Sequence, residues 1–285
     1  MDQWWVGWRR LVLAGWLAAW LAFGLGVGPA AAAAPAAVAS VELEQLTWPE
    51  LRDRVAAGAT TALLPIGATE QSGTHLALGK HNARVRELAR RIALALGNAI
   101  VAPVLAYVPE GDIDPPTHHM RWPGTLTLPV PVFEAMLDST ARSLCRAGFR
   151  DVVFLGDHGG YQASLKRVAD KLDRAGARAG ACRVHALPEY YRAADVDYAQ
   201  MLKSRGYTAA EIGSHAGLAD TSLTLAIDPA LVRLDGDHVR VTKVAGPDGA
   251  SGDPRRATAE LGRLGVDHIV EVSVAAIRAA TRPTR

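Results

Sequence analysis

From residue 41 onward, short apolar runs alternate with stretches whose apolar residues recur at helical spacing. Residues 61–66, 99–105, 151–155 and 182–187 are nearly continuous apolar runs of strand length, the pattern of strands buried on both faces. Between them, Thr47-Trp48-Pro49-Glu50 reads as a capping-box start for a helix to about Ala57. Asn82 is placed to cap a helix ending near Gly97, and 132–147 is helical with Gly148 as its stop. A further helix spans 161–175, and Ala/Arg-rich helices close the chain after an Asp/Gly-rich loop at 235–254. Strand and helix in alternation predict an α/β domain with a mainly parallel sheet covered on both faces. The Pro/His-rich stretch 107–124 is a long loop for such a domain, and loops of that length are usually functional. No repeat or linker interrupts the chain after residue 40, which predicts one domain over 40–285.

The first 39 residues have a different pattern. Arg9 and Arg10 precede an uncharged apolar run of 17 residues, 11–27, and small residues then lead to Ala37-Val38-Ala39. This is the layout of a cleavable export leader ending before Ser40. The arginine pair resembles a twin-arginine signal, although a general secretory leader has the same features. An uncleaved anchor is the competing reading, because 17 residues is the short limit for a spanning helix. Cleavage predicts a periplasmic or secreted protein with no stable membrane association.

Composition changes the picture once it is divided at Ala39. The whole chain of 285 residues carries a net charge of +2. Without Asp2, Arg9 and Arg10, the remaining 246 residues hold 29 basic and 28 acidic side chains, net +1. So little basic excess argues against a dedicated nucleic-acid binder. Cys145 and Cys182 are too few for a disulfide scaffold or a four-cysteine zinc site. In an oxidising compartment they can pair, or both can be buried thiols.

In an open parallel sheet, ligands bind beyond the carboxyl ends of the strands. Two such ends carry unusual polar loops. Run 61–66 leads into Gly67-Ala68-Thr69-Glu70-Gln71-Ser72-Gly73-Thr74-His75 and then Gly79-Lys80-His81-Asn82, and run 151–155 leads into Gly156-Asp157-His158-Gly159-Gly160. Carboxylate and imidazole groups at neighbouring strand ends suit a divalent metal. Hydrogen-bonded surface groups have the same spacing.

At these residues the sequence resembles the creatininase family. The stretch 64–76 resembles its opening motif P-[VI]-G-x-x-E-Q-H-G-P-H-L, and Trp122-Pro123-Gly124-Thr125-Leu126 resembles its P-G-T-[IL] segment. Residues 156–160 resemble N-G-H-G-G-N, 214–222 resemble H-A-G-x-x-E-T-S, and Gly252-Asp253-Pro254 with Glu260 resembles a late G-D-P block. The resemblance implies a three-layer α/β/α sandwich, metal-dependent hydrolysis of a C–N bond in a small amide, lactam or cyclic urea, and a homo-oligomer, often a hexamer. It implies that Glu70 and His158 bind metal, that Asp220 takes the acidic position of E-T-S, and that His215 handles protons.

Two positions depart from the family pattern. Its metal-binding histidine is Ser72 here, and its bridging aspartate is His81. An imidazole presents one lone pair to one cation, whereas a carboxylate can bridge two. The expectation is therefore a single metal, zinc or else iron or manganese, on Glu70, His81 and His158. Asp157, Ser72 and His75 are expected as auxiliary groups, and His215 and Asp220 as the catalytic pair. His118, His119, Trp122 and Tyr161 are expected at the substrate pocket. A non-catalytic relative that binds a small metabolite in the same pocket is the alternative, since fold does not fix function. A membrane-anchored structural protein is a third.

Overall fold

The β-branched and leucine-rich runs pair as four parallel strands, β1 (Thr61–Ile66), β2 (Ala99–Val101), β3 (Asp151–Gly156) and β4 (Arg183–Ala186). Their order is β2-β1-β3-β4, with Thr61 level with both Ala99 and Asp151, and Asp151 level with Arg183. The computed structural model describes residues 40–177, 182–235 and 249–282. The leader expected over 1–39 and most of the expected 235–254 loop lie outside the described residues.

Successive side chains of a strand point to opposite faces, and both faces of this sheet are apolar. Ala62, Leu64 and Ile66 of β1, with Val152 and Phe154 of β3, pack against α3 (Val130–Arg146) and α4 (Gln162–Ala177) through Phe133, Leu137, Leu165 and Val168. The alternate residues Leu63, Val153 and Leu155 pack against α2 (Lys80–Leu96), α8 (Leu218–Ile227) and α9 (Ala259–Ala280) through Val85, Leu88, Leu223, Ile269 and Ile277. The result is the expected three-layer sandwich. Short helices α5 (Pro188–Arg192), α6 (Tyr198–Lys203) and α7 (Ala209–Ile212) join the second layer, and α1 (Trp48–Ala56) precedes β1.

Several boundaries differ from the expected ones for local reasons. Pro103 has no N–H to give a ladder, so β2 stops at Val101, and the chain meets β1 again only at a bridge between Ile66 and Leu105. Helix α2 begins at Lys80 with Gly79 as its cap. Asn82 is occupied elsewhere: its Oδ1 accepts from the Ala68 amide at 3.1 Å, and its Nδ2 donates to Thr69 at 3.1 Å. One helix, α9, closes the described chain where several were expected. Cys145 and Cys182 form a disulfide that ties the end of α3 to the start of β4. No helix among the described residues is long and apolar enough to cross a membrane.

The order β2-β1-β3-β4 reverses direction between β1 and β3, which opens a crevice at their carboxyl ends. Glu70 follows β1, and Asp157-His158 follows β3, so the topology brings both loops to that crevice.

Candidate active site

The loop after β1 turns away from the sheet at Gly67, where an added Cβ would lie 2.1 Å from Asn82 Oδ1. Only glycine permits this approach, and the Asn82 clamp then aims Glu70 inward, where it is fully buried. Its two carboxylate oxygens have different surroundings. Oε2 lies 3.2 Å from His158 Nε2 and 3.4 Å from His119 Nε2. Oε1 lies 2.9 Å from His81 Nε2, 3.5 Å from Ser72 Oγ and 3.7 Å from Lys80 Nζ. Burial would raise the Glu70 carboxyl, but the imidazoles of His158 and His81 and the Lys80 ammonium hold it well below the usual carboxylate range.

Glu110 completes the Oε2 side. It comes from the long loop, where the Thr127 hydroxyl accepts from the Glu110 amide at 3.0 Å and donates to Gly111 O at 3.0 Å. Glu70, Glu110, His119 and His158 each bring one ligand atom into a group spanning no more than 4.8 Å. Glu70 Oε2 and both Glu110 oxygens are buried with no hydrogen-bond partner, and orphaned buried acceptors are costly unless a cation or donor answers them. Tetrahedral zinc ligands at ~2.0–2.1 Å lie ~3.3–3.4 Å from one another, close to the 3.2 and 3.4 Å separations around Glu70 Oε2. The residues fit one divalent ion.

This group differs from the sequence-derived set at His81. Both His81 ring nitrogens face carboxylates, Nε2 toward Glu70 and Nδ1 toward Asp157 Oδ2 at 2.7 Å. His81 therefore faces Oε1 of Glu70, whereas His119 and His158 face Oε2, with the His81 and His158 rings edge to face at 5.3 Å. Asp157 also accepts from Arg84 at 2.8 Å and from the Tyr190 hydroxyl at 2.8 Å. Despite burial, Arg84 and His81 keep its carboxyl below the usual range. Asp220 is likewise engaged, 2.5 Å from Lys80 Nζ and 2.7 Å from Arg84 Nη1, and these two cations outweigh burial to hold it well below the usual range.

A cavity of about 540 Å³ opens over this centre. His119, His158, His215, Tyr191, Asp195 and Ser214 are among the residues that line it, while Glu70 and Glu110 lie behind the histidines. His215 Nε2 donates to Gln71 O at 3.0 Å, which leaves Nδ1 as the basic nitrogen of the neutral ring, 3.8 Å from Glu70 Oε1. Burial, helped by Lys80, pushes the His215 imidazole down to about 4. Gln71 also reaches His119 Nδ1 at 2.8 Å, which orients that ring toward Glu70. Burial lowers the His119 imidazole as well.

The other expected pocket and auxiliary residues have structural settings. Tyr161 is buried, and its hydroxyl bonds the Ile66 and Gly67 carbonyls at 2.7 and 2.9 Å, joining the ends of β1 and β3 beneath His158. His75 meets Thr221 Oγ1 at 2.9 Å. His118 occupies a left-handed turn with φ 45° that brings His119 inward, and neither His118 nor Trp122 lines the cavity. Glu110 was the residue that sequence reasoning missed. Its one sequence signal is an acid in the same long loop as His118 and His119.

The family described as creatinine amidohydrolase matches residues 44–277. The chain is 31% identical over 211 residues to creatinine amidohydrolase of Pseudomonas putida, covering 71% of this chain and 78% of that protein. It is 26% identical over 226 residues to the mycofactocin precursor peptide peptidase of Mycobacterium tuberculosis, covering 70% and 78%. Among solved structures, one described as creatininase Mn superposes with a TM-score of 0.72 at 28% identity, covering 86% of this chain and all of that one. A creatininase variant described as Zn–Zn type gives 0.70 at 29% identity, covering 86% and 99%.

Proposed function

This chain belongs to the creatininase family, and from that premise we propose that it is a metal-dependent hydrolase of C–N bonds in small molecules. The observation that carries the reading is the group Glu70, Glu110, His119 and His158, in which Glu70 Oε2 and both Glu110 oxygens have no hydrogen-bond partner, directly behind a substrate-sized cavity. Bound there, one divalent ion, zinc or else manganese or iron, would supply Lewis acidity toward a carbonyl and toward water.

The chain's own residues supply the rest. His119 and His158 reach the cavity wall and define where the reacting carbonyl sits. His215, neutral at physiological pH, accepts a proton at Nδ1 and returns it to the leaving nitrogen, while its Nε2–H stays on Gln71 O. Asp220 is a poor proton acceptor between Lys80 and Arg84, so its part is to fix those cations. Tyr191, beside Gly159 on the cavity wall, helps shape the substrate space.

The test is turnover of a panel of cyclic ureas, lactams and N-acyl compounds by the chain loaded with zinc or manganese. Activity that is lost with chelator and with Glu70→Gln supports the enzyme. Ligand binding without turnover supports the metabolite-binding alternative.

Export belongs to the same proposal. The leader pattern over 1–39 and the paired Cys145 and Cys182 support an oxidising compartment outside the cytoplasm. N-terminal sequencing of the protein recovered from cells checks it, with Ser40 as the expected first residue. Self-association, expected from the family resemblance, is checked by sedimentation of the same material.

A further inference from the structure

The Oε1 side of Glu70 holds a closed ring of charge. From Glu70 Oε1 the path runs 3.7 Å to Lys80 Nζ, 2.5 Å to Asp220 Oδ2, then from Asp220 Oδ1 2.7 Å to Arg84 Nη1. It continues from Arg84 Nη2 2.8 Å to Asp157 Oδ2, 2.7 Å to His81 Nδ1, and from His81 Nε2 2.9 Å back to Glu70. Lys80, His81 and Arg84 all come from the first turn and a half of α2, while the three carboxylates come from the β1 loop, the end of β3 and α8. The Lys80 side chain is wholly inaccessible to solvent, so its ammonium cannot swing out to make room. The sequence Gly79-Lys80-His81-Asn82 is thus a block: Asn82 clamps the β1 loop, and Lys80 and His81 pack against Oε1 of Glu70 at the base of the cavity.

A relative of this chain is described as a Zn–Zn type. A second ion that shared Glu70 here would have to use Oε1, and there it would meet a buried ammonium. Like charges at such range in a poorly solvated interior repel strongly. We infer that Lys80 is this chain's own substitute for a second metal ion. The ammonium fills the cation position between Glu70 and Asp220, limits the centre to one ion, and leaves Oε2 as the only oxygen of Glu70 that a metal can use. Lys80 acts through Glu70, as a positioning residue. The inference deepens the one-metal reading of this site and rests on it.

Removing the ammonium predicts a gain. Lys80→Ala frees the two carboxylate oxygens that the ammonium joined, Glu70 Oε1 and Asp220 Oδ2. His81 Nε2 and His215 Nδ1 lie 2.9 and 3.8 Å from that Glu70 oxygen, so oxygen and nitrogen donors of the kinds that bind zinc border the vacated position on its Glu70 side. Lys80→Arg keeps the charge. The experiment is zinc counting by native mass spectrometry and elemental analysis on wild type, Lys80→Ala and Lys80→Arg after zinc loading and removal of loosely held metal. The expected counts are one, two and one per chain. A purely structural lysine would change stability in Lys80→Ala without adding an ion. Two ions in wild type, or equal counts in wild type and folded Lys80→Ala, overturn the inference. A wild-type chain that holds no zinc overturns the one-metal reading itself, and the difference between wild type and Lys80→Ala still judges Lys80. If Lys80→Ala folds only when zinc is present, that rescue supports the inference; failure to fold with zinc as well as without it overturns it.

Discussion

Glu110 stands beside Glu70 in the interior, two carboxyl groups turned toward the same pair of imidazoles, His119 and His158. Burial, and after it the Glu70 charge, pushes the Glu110 carboxyl up to about 9. In the metal-free protein Glu110 is therefore neutral at pH 7, while Glu70 is ionised.

This has a consequence for stability against pH. The unfolded chain releases the Glu110 proton near 4.5, whereas the folded chain keeps it to about 9. The stabilisation linked to that proton is fully present below pH ~4.5 and is lost as pH rises toward ~9. In chelator, denaturant unfolding of wild type should weaken by a few kcal/mol from pH ~5 to ~9 relative to Glu110→Gln. Parallel curves for the two proteins would show that Glu110 is ionised already in the folded state.

Glu110→Gln and His119→Ala should each weaken zinc binding by ~10²-fold or more, because each removes one of four ligand groups. Chelator competition measures this directly. Unchanged affinity in both variants, with loss in His81→Ala, would instead favour the set Glu70, His81 and His158.

His215 should not produce an acid limb near neutrality. Its imidazole is held down to about 4 by burial and Lys80, so the active neutral form persists to pH ~5. His215→Asn should lower kcat by ~10²–10⁴-fold, the range for removing a general base. A limb near pH ~6.5 in wild type that disappears in His215→Asn would contradict this assignment of its charge state.

Cys145→Ser combined with Cys182→Ser should cost about 3–4 kcal/mol, from the loop-closure entropy of a bridge across 37 residues. Urea unfolding with and without reductant checks it, and reductant should not affect the double variant. Site geometry lies away from this bridge, so the metal count should stay the same.

Much of the scaffold was legible along the chain. The run 61–66 coincides with β1, and the alternation of Leu63 with Ala62 and Leu64 between two cores follows from the two-residue period of a strand. The family motifs located Glu70, His158, His215 and Asp220 because each adjoins a strand end or a helix start that local pattern specifies. Boundaries were less legible where one side chain had two uses. Asn82 suits a helix cap by type, yet its amide bonds the β1 loop, because that loop passes within reach only once the sheet has formed.

The candidate centre itself was partly hidden. Glu110 and Glu70 are forty residues apart, and nothing in either segment indicates that the long loop folds back against the β1 loop. His81 and His119 are both histidines on loops or first turns, and sequence cannot tell which oxygen of Glu70 each will face. Residue types, strand and helix periods and the motif order were determined by the chain alone, since they depend on neighbours a few positions away. Which carboxylate meets the Lys80 ammonium, which meets the paired imidazoles, and which is left without a partner was decided only by tertiary packing, because those pairings join segments that the sheet order, and no local rule, brings together.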